Sequence, residues 1–321
     1  MKTLTIGIPT YKSNVTLLRL LESIFVQITK NNVNKIEIVI SDNDPASEVT
    51  NLLSSKLLLS DLKLIRYYCN QINIGYDKNL ETLKKLATGK YLNIVADDDI
   101  LDLGYLDNLL QTLVNEDADI IINEFQTFYA NQPAGKQKTS LSNKQYYYPP
   151  WSFSKLRELN GRFGQVSTLT FKMKMLEQIP DQPEKTNFVH LFWFYSLLEK
   201  SNVIYEKNIT LFCQLGSSNF SSTLIEIIST QFEGIRAVKM AEFQNLGFRK
   251  KVIRAHQEYA FKKLRLVPGL QISQKIILIQ KHYLEFLDRF LLFLVYLPLF
   301  LVPKMLKTII AILKVKRNNH F

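Results

Sequence analysis

Cysteine is scarce in this sequence. Only Cys69 and Cys213 occur, with no CxxC pair. That excludes a zinc ribbon and a disulfide scaffold and predicts a reducing compartment. A chain of 321 residues needs neither device, because at this length about three quarters of the extended surface is buried on folding. GxGxxG and GxxxxGK[ST] are both missing, which argues against dinucleotide and P-loop enzymes. No GxSxG elbow is present. There is no internal repeat and no low-complexity tract. Thr3–Ile8 is too short for the apolar core of a secretory signal and ends at Pro9 like a strand, so the globular part is expected in the cytoplasm. At 46% hydrophobic and 21% charged residues, the composition is that of a folded chain.

The net charge of +11 is unevenly spread. Residues 1–125 hold 12 Lys/Arg against 17 Asp/Glu, residues 126–248 hold 13 against 9, and residues 249–321 hold 15 against 3. A uniformly basic nucleic-acid binder does not look like this. A basic, apolar C-terminus on an ordinary body points to an anionic membrane surface instead. Phe290–Pro303 carries no charge but is interrupted by Pro298, and it is shorter than the ~20 residues of a span. Lys304, Lys307, Lys314, Lys316 and Arg317 stud the residues after it. Interfacial or re-entrant insertion is expected, against the plainer reading of a buried helix with a basic tail.

The first 125 residues alternate apolar runs with helical patterns. Strands are predicted over 4–8, 36–41, 63–68, 91–96 and 119–123, and helices over 16–28, 47–59, 78–87 and 105–115. Gly89 stands where a helix C-terminal glycine would. Such alternation predicts an α/β fold with a mostly parallel sheet flanked by helices. Further on, 131–150 reads as a loop, 165–172 as a strand, 188–198 as an apolar helix, and 223–288 as helical with one break at Pro268-Gly269. The expected divisions are 1–125, 126–222, 223–288 and 289–321.

In such sheets ligands bind beyond the carboxyl ends of the strands, and polar residues cluster there. Asp97-Asp98-Asp99 follows the fourth strand. Adjacent carboxylates repel unless a cation or a solvated position relieves them, and a hard divalent cation takes such oxygens. The plainer reading is an acidic turn capping the next helix. Asp42 and Asp44 follow the second strand, either to bond a base or ribose or to form an Asx turn. Asn73-Ile74-Gly75 precedes a helix carrying Asn79, and helix N-termini attract phosphate. His190 opens an apolar helix, as a packed histidine or as a general base. Tyr146–Trp151 suits sugar stacking or a packed loop equally.

These residues resemble the family 2 glycosyltransferases, which have the GT-A nucleotide-sugar fold. The resemblance rests on Ile6-Gly7-Ile8-Pro9-Thr10-Tyr11, Ile38-Val39-Ile40-Ser41-Asp42-Asn43, Asn73-Ile74-Gly75 with Asn79, and Gly89-Lys90-Tyr91 leading to Asp97-Asp98-Asp99-Ile100-Leu101. It covers residues 1–125. Gly164-Gln165-Val166-Ser167-Thr168 is similar to the abequosyltransferase-like O-antigen branch. The resemblance implies that Pro9, Thr10 and Tyr11 line the nucleotide pocket, that Asp42 contacts the base, and that Asn73 and Asn79 lie near the nucleotide and its phosphates. It makes Asp97 and Asp99 the DxD pair. Asp99 is the better ligand for Mn²⁺ or Mg²⁺, Asp97 lies nearer the ribose, and Asp98 is able to replace either.

One departure stands out. Many members carry Glu-Asp at the start of a helix about ninety residues after the DxD, and that Asp is the base. Here the stretch reads Asn187-Phe188-Val189-His190-Leu191, so His190 takes the position, with Glu184 as the alternative. The expected function is an inverting, metal-dependent transfer from a nucleotide-diphosphate sugar. The expected acceptor is a saccharide, lipid-linked at the cytoplasmic face of the membrane, in cell-surface polysaccharide synthesis. Two alternatives remain open. One is a degenerate membrane-bound sugar-binding scaffold. The other is a nucleotidyltransferase, disfavoured because the loop Pro9–Asn14 holds only Lys12.

Overall fold

Strand β1 (Leu4–Thr10) is buried along its whole length. After it come α1 (Asn14–Phe25), β2 (Ile36–Asp42), α2 (Val49–Lys56), α3 (Leu59–Leu62), β3 (Ile65–Cys69), α4 (Tyr76–Leu86), β4 (Tyr91–Ile94), β5 (Ile100–Leu101) and α5 (Tyr105–Asn115). The second part adds β6 (Ile120–Tyr129), β7 (Lys144–Tyr147), α6 (Phe153–Glu158), β8 (Leu169–Lys172), α7 (Met173–Leu176), α8 (Val189–Leu198), β9 (Val203–Leu215), α9 (Leu224–Met240) and α10 (Leu246–Arg265). This computed structural model describes residues 2–129, 144–159, 161–182, 185–215 and 224–265. Residues 1–261 form one compact unit.

The strands make one sheet in the order β3-β2-β1-β4-β8-β6-β9-β5, with β7 also on β9. Pairings among β1, β2, β3 and β4 are parallel. β8 runs antiparallel to both β4 and β6, and β5 and β7 run antiparallel to β9. The sheet is therefore mixed rather than mostly parallel; the parallel reading holds for its first half. Sequence alternation cannot report the direction of strands that pair across such distances. β6 and β9 are parallel, with residues 207–209 of β9 standing out of the ladder. β6 runs straight across residue 125, so both parts of the chain share this sheet.

Period-two alternation sends side chains to two cores. Leu4, Ile6, Ile8, Ile36, Ile38 and Ile40 pack with α1 and α5 on one face. Val39, Leu92, Ile94, Ile120 and Ile122 pack on the other with Leu80 and Leu83 of α4 and with α8. Each such side chain contributes about 1.5–3 kcal/mol. The helical spacing of Leu17, Leu20, Leu21 and Ile24 is the buried stripe of α1, as expected. Gly89 serves close packing rather than helix termination: a Cβ there would lie 2.7 Å from the Thr5 backbone nitrogen.

Several elements differ from expectation. The third strand starts at Ile65, after the short helix α3. Of 165–172 only Leu169–Lys172 is strand. Tyr146 and Tyr147 lie on β7, and Tyr147 stacks with Trp151 at 5.9 Å inside the core. The aromatic run is thus partly packing. In the C-terminal helical stretch the chain leaves the helix between α9 and α10, at 241–245. Pro268-Gly269 and the tail 289–321 lie outside the described residues. Among the described residues, no helix is long and apolar enough to cross a membrane.

Candidate active site

The parallel register brings the ends of β1, β2 and β3 level, with Thr10 beside Asp42 and Asp42 beside Cys69. Val95, just past β4, donates its N–H to the Gly7 carbonyl, so the chain reaches Asp97 alongside the end of β1. Thr10 Oγ1 donates to Asp97 Oδ2 at 2.6 Å. Ser13 and the Tyr11 amide also bond this carboxylate. Burial nevertheless pushes Asp97 up to about 7, with the charge of Asp98 adding to it.

Asp99 sits deeper, 4% exposed. Ser167 Oγ donates to its Oδ2 at 2.5 Å, and the Gln214 amide donates to its Oδ1 at 3.0 Å. The Cys213 thiol is a third donor. Burial, then the charge of Asp98, pushes Asp99 up to about 8. None of these partners is cationic. The carboxylates are held in place yet kept short of compensating charge. Tyr76, first residue of α4, lies in their field. Burial and the neighbouring carboxylates of Asp77 and Asp97–Asp99 push its phenol upward. Behind the triplet, Arg19 of α1 donates to the Asp98 carbonyl at 2.6 Å and to Gln214 Oε1 at 2.5 Å.

The end of β2 is built differently. Asp42 is fully buried; its Oδ1 accepts the Asp44 amide at 2.9 Å, an Asx turn, and its Oδ2 accepts the Tyr67 hydroxyl at 2.8 Å. Asn79 is 3% exposed. Its Oδ1 accepts Ser41 Oγ at 2.6 Å and Asn70 Nδ2 at 3.0 Å, while its Nδ2 donates to the Ser41 carbonyl at 3.0 Å. Asn79 is therefore a clamp between α4 and β2, and its amide is committed inside the protein. Asn73 Oδ1 accepts from Asn43 Nδ2 and the Gly75 amide. Gly75 adopts φ +83 with open space around it, so its backbone angle rather than close approach calls for glycine.

His190 is 3% exposed, the second residue of α8. Its Nε2 lies 3.3 Å from the Gly164 carbonyl, and its Nδ1 is buried with no partner among the described residues. Burial lowers it to about 4, opposed by the Gly164 hydrogen bond and the charge of Asp77. The segment 164–168 thus touches both groups: Gly164 meets His190, and Ser167 holds Asp99. Glu184 lies outside the described residues. Of the sequence-predicted residues, the structure joins Thr10 and Tyr11 to Asp97 and links Asn79 and the Asp42 carbonyl through Asn70, while Asn73 bonds Asn43 and Gly75. His190 reaches the triplet only through 164–168. Ser167, Gln214, Cys213, Arg19 and Tyr76 were missed as site residues. Of these, Tyr76 adjoins Gly75 at a helix start and Ser167 stands in the segment Gly164–Thr168; the others carry no local signal.

The Glycosyl transferase family 2 model matches residues 5–180. The chain is similar to Glycosyltransferase GlyA of Streptococcus pneumoniae serotype 4, at 26% identity over 144 residues; the match takes in 45% of this chain and 19% of that protein. The chain thus spans about one fifth of the length of this curated relative. Among solved structures, S. aureus TarS 1-349 in complex with UDP-GlcNAc superposes with TM-score 0.63 at 12% identity, covering 88% of this chain and 80% of TarS 1-349. Mannosyltransferase PcManGT from Pyrobaculum calidifontis, in complex with GDP-Man and Mn²⁺, superposes with TM-score 0.56 at 13% identity, covering 92% and 80%. At these identities the likeness concerns the fold, a mixed sheet flanked by helices as in GT-A glycosyltransferases.

Proposed function

The chain belongs to glycosyl transferase family 2, and from that premise we propose that it moves a sugar from a nucleotide-diphosphate donor to a saccharide hydroxyl, with inversion. The observation that carries this reading is the pair at the sheet edge, Asp97 half-buried and Asp99 buried, both pushed up with no cationic partner on either carboxylate among the described residues. Mn²⁺ or Mg²⁺ suits this set of hard oxygens, and Asp97 and Asp99 would hold it. When bound, such an ion offsets the charge that develops on a departing diphosphate.

The protein's own residues supply the rest. Thr10, Ser13 and the Tyr11 amide fix Asp97, and Ser167 and the Gln214 amide fix Asp99. Pro9, Thr10 and Tyr11 flank the nucleotide, with Asp42 and Asn73 beyond. His190 takes the proton of the acceptor hydroxyl. With Nε2–H given to the Gly164 carbonyl, Nδ1 keeps a lone pair free of partners among the described residues. At about 4 it is neutral at physiological pH but a weaker base than solvated imidazole. The hydroxyl attacks the anomeric carbon from the face opposite the leaving group, through an oxocarbenium-like transition state. Glu184 is the alternative base.

The proposed acceptor is lipid-linked, at the cytoplasmic face of the membrane. Support comes from the uncharged run Phe290–Pro303 and the lysines after it. Loss of binding to anionic vesicles on deletion of 286–321, with nucleotide binding intact, tests this. The burial of His190 favours one second reading, a sugar-binding scaffold without turnover.

The deciding experiment is a donor screen of UDP-, GDP-, dTDP- and CDP-sugars with and without Mn²⁺, reading thermal shift and nucleotide release. Metal-dependent stabilisation and release by one nucleotide class is expected. Binding without release would select the scaffold, and no response to any donor would sink both readings. Full turnover in His190→Ala would remove His190 as base.

A further inference from the structure

Helix α4 buries its apolar residues against the sheet, and one row of its polar residues is buried as well. Asp77, Glu81 and Lys84 are all buried. Lys84 Nζ donates to the Ile179 carbonyl at 2.8 Å, and Lys78 Nζ donates to the Gln182 carbonyl at 3.0 Å. Glu81 accepts the Gln182 amide at 2.6 Å. These bonds strap the chain of 179–182 along the helix.

Asp77 ends this row with the densest set of contacts. Its Oδ2 accepts the amides of Thr186 at 2.6 Å and Asn187 at 2.7 Å and the Thr186 hydroxyl at 3.1 Å, and its Oδ1 accepts the Val189 amide at 3.1 Å. Val189 is the first residue of α8, and Phe188 before it provides no side-chain cap. Asp77 therefore caps, from 112 residues away, a helix that has no cap of its own. A buried anion suits that place, where the helix dipole is positive. Asn187 is held at φ 59, a conformation that non-glycine residues seldom adopt. Two of the three amides on Asp77 come from Asn187 and its preceding neighbour, Thr186. The next residue after Val189 is His190.

We propose that Asp77 is a positioning residue: its carboxylate sets the turn 186–189 and the start of α8, and so fixes His190 relative to the donor side of the site. The catalytic part of this inference rests on His190 as base. Tyr76 and Asp77 then face two ways from one helix end, Tyr76 toward the acidic triplet and Asp77 toward the base.

The test uses the full chain without ligand first. Hydrogen exchange is measured in wild type, Asp77→Asn and Thr186→Val. Asp77→Asn keeps the shape but replaces one acceptor oxygen with an amide NH2 that faces backbone donors. Exchange at 186–192 should speed up at least about tenfold, the equivalent of one lost charged hydrogen bond, with β1 and β2 unchanged. Thr186→Val, which removes one of the four bonds to Asp77 and the acceptor of the Phe188 amide, should act in the same direction. Nucleotide release is then followed with UDP-N-acetylglucosamine and GDP-mannose as probes. Asp77→Asn should lower kcat on the order of a hundredfold, as misplaced groups do, with nucleotide affinity unchanged. In a His190→Ala background the same substitution should have no further effect on kcat.

Unchanged exchange at 186–192 overturns the proposal, whatever His190 does. Faster exchange with full turnover, or equal losses in the two backgrounds, overturns its catalytic part. If His190→Ala alone turns over normally, the base reading falls and the exchange result decides the clamp by itself.

Discussion

Two strand ends lie side by side at one edge of the sheet, and both bury polar side chains. At the end of β2, Ser41, Asn70 and Asn79 bond one another and the backbone, and Asp42 is bonded by Tyr67 and its own turn. Beyond β4, Asp97 and Asp99 are as firmly held, yet their protein partners are hydroxyls, amides and a thiol, and burial leaves both carboxylates pushed up. In the first arrangement there is one carboxylate, and the groups that bond it are neutral. In the second, Arg19 bonds the Asp98 carbonyl, no described cation bonds either Asp97 or Asp99 carboxylate, and the charge of Asp98 raises both. Burial alone therefore does not distinguish scaffold from site; the crowding of like charge does.

This contrast is open to direct test. The largest effect is expected from Asp99→Ala. Nucleotide release should fall at least about a hundredfold, since several kcal/mol of charge stabilisation go with the ion. The Mn²⁺-dependent thermal shift should vanish, and its persistence would remove Asp99 from the site. Next, stability should move in opposite senses at the two ends. Asn79→Ala should cost about 1–3 kcal/mol in urea unfolding, because buried Ser41 and Asn70 lose their partner. Metal-free Asp99→Asn should leave Tm unchanged or higher at pH 8. A fall in Tm would show that the carboxylate is there for stability.

A third prediction concerns pH. The folded values of about 7 and about 8 lie above the ordinary 3.8, so the fold favours the protonated acids. The stability they lend is full below 3.8 and is lost as pH rises through 7 and 8. Metal-free Tm should decline over that window, and the gain from Mn²⁺ should grow with it, because the ion competes with protons. A Mn²⁺ gain independent of pH would contradict this. The smallest effect is expected from Tyr67→Phe. It removes one hydrogen bond to Asp42 and should cost about 1 kcal/mol with Mn²⁺ response unchanged. A lost Mn²⁺ response would merge the two ends into one functional unit.

Legibility in the sequence tracks the range of the interactions. β1, β2 and β4 are short apolar runs ending in polar residues, so both the strands and Asp97–Asp99 could be read locally. Asp99's partners could not. Ser167 is 68 residues away and Gln214 is 115, and nothing near either marks it as facing an acid. The antiparallel pairings of the sheet are hidden for the same reason, since direction is set by pairing across the chain. Asn79, which the resemblance places near the nucleotide and its phosphates, has three internal bonds to Ser41 and Asn70 that no local pattern announces. On a helical wheel, Asp77, Glu81 and Lys84 look like a solvated stripe, and only the strap over α4 shows otherwise.

The break in β9 at residues 207–209 bears on how this chain tolerates insertions and deletions. Below it, residues 203–206 are registered by β6 and β7; above it, 210–215 are registered by β6, with 211–212 also on β5. Each ladder is counted from its own neighbours, so a residue gained or lost at 207–209 is absorbed where nothing is paired. A residue lost between 210 and 213 has no such outlet. It would turn every later side chain to the opposite face and take the Gln214 amide away from Asp99. Length variation among relatives should therefore collect at the first place and be absent from the second.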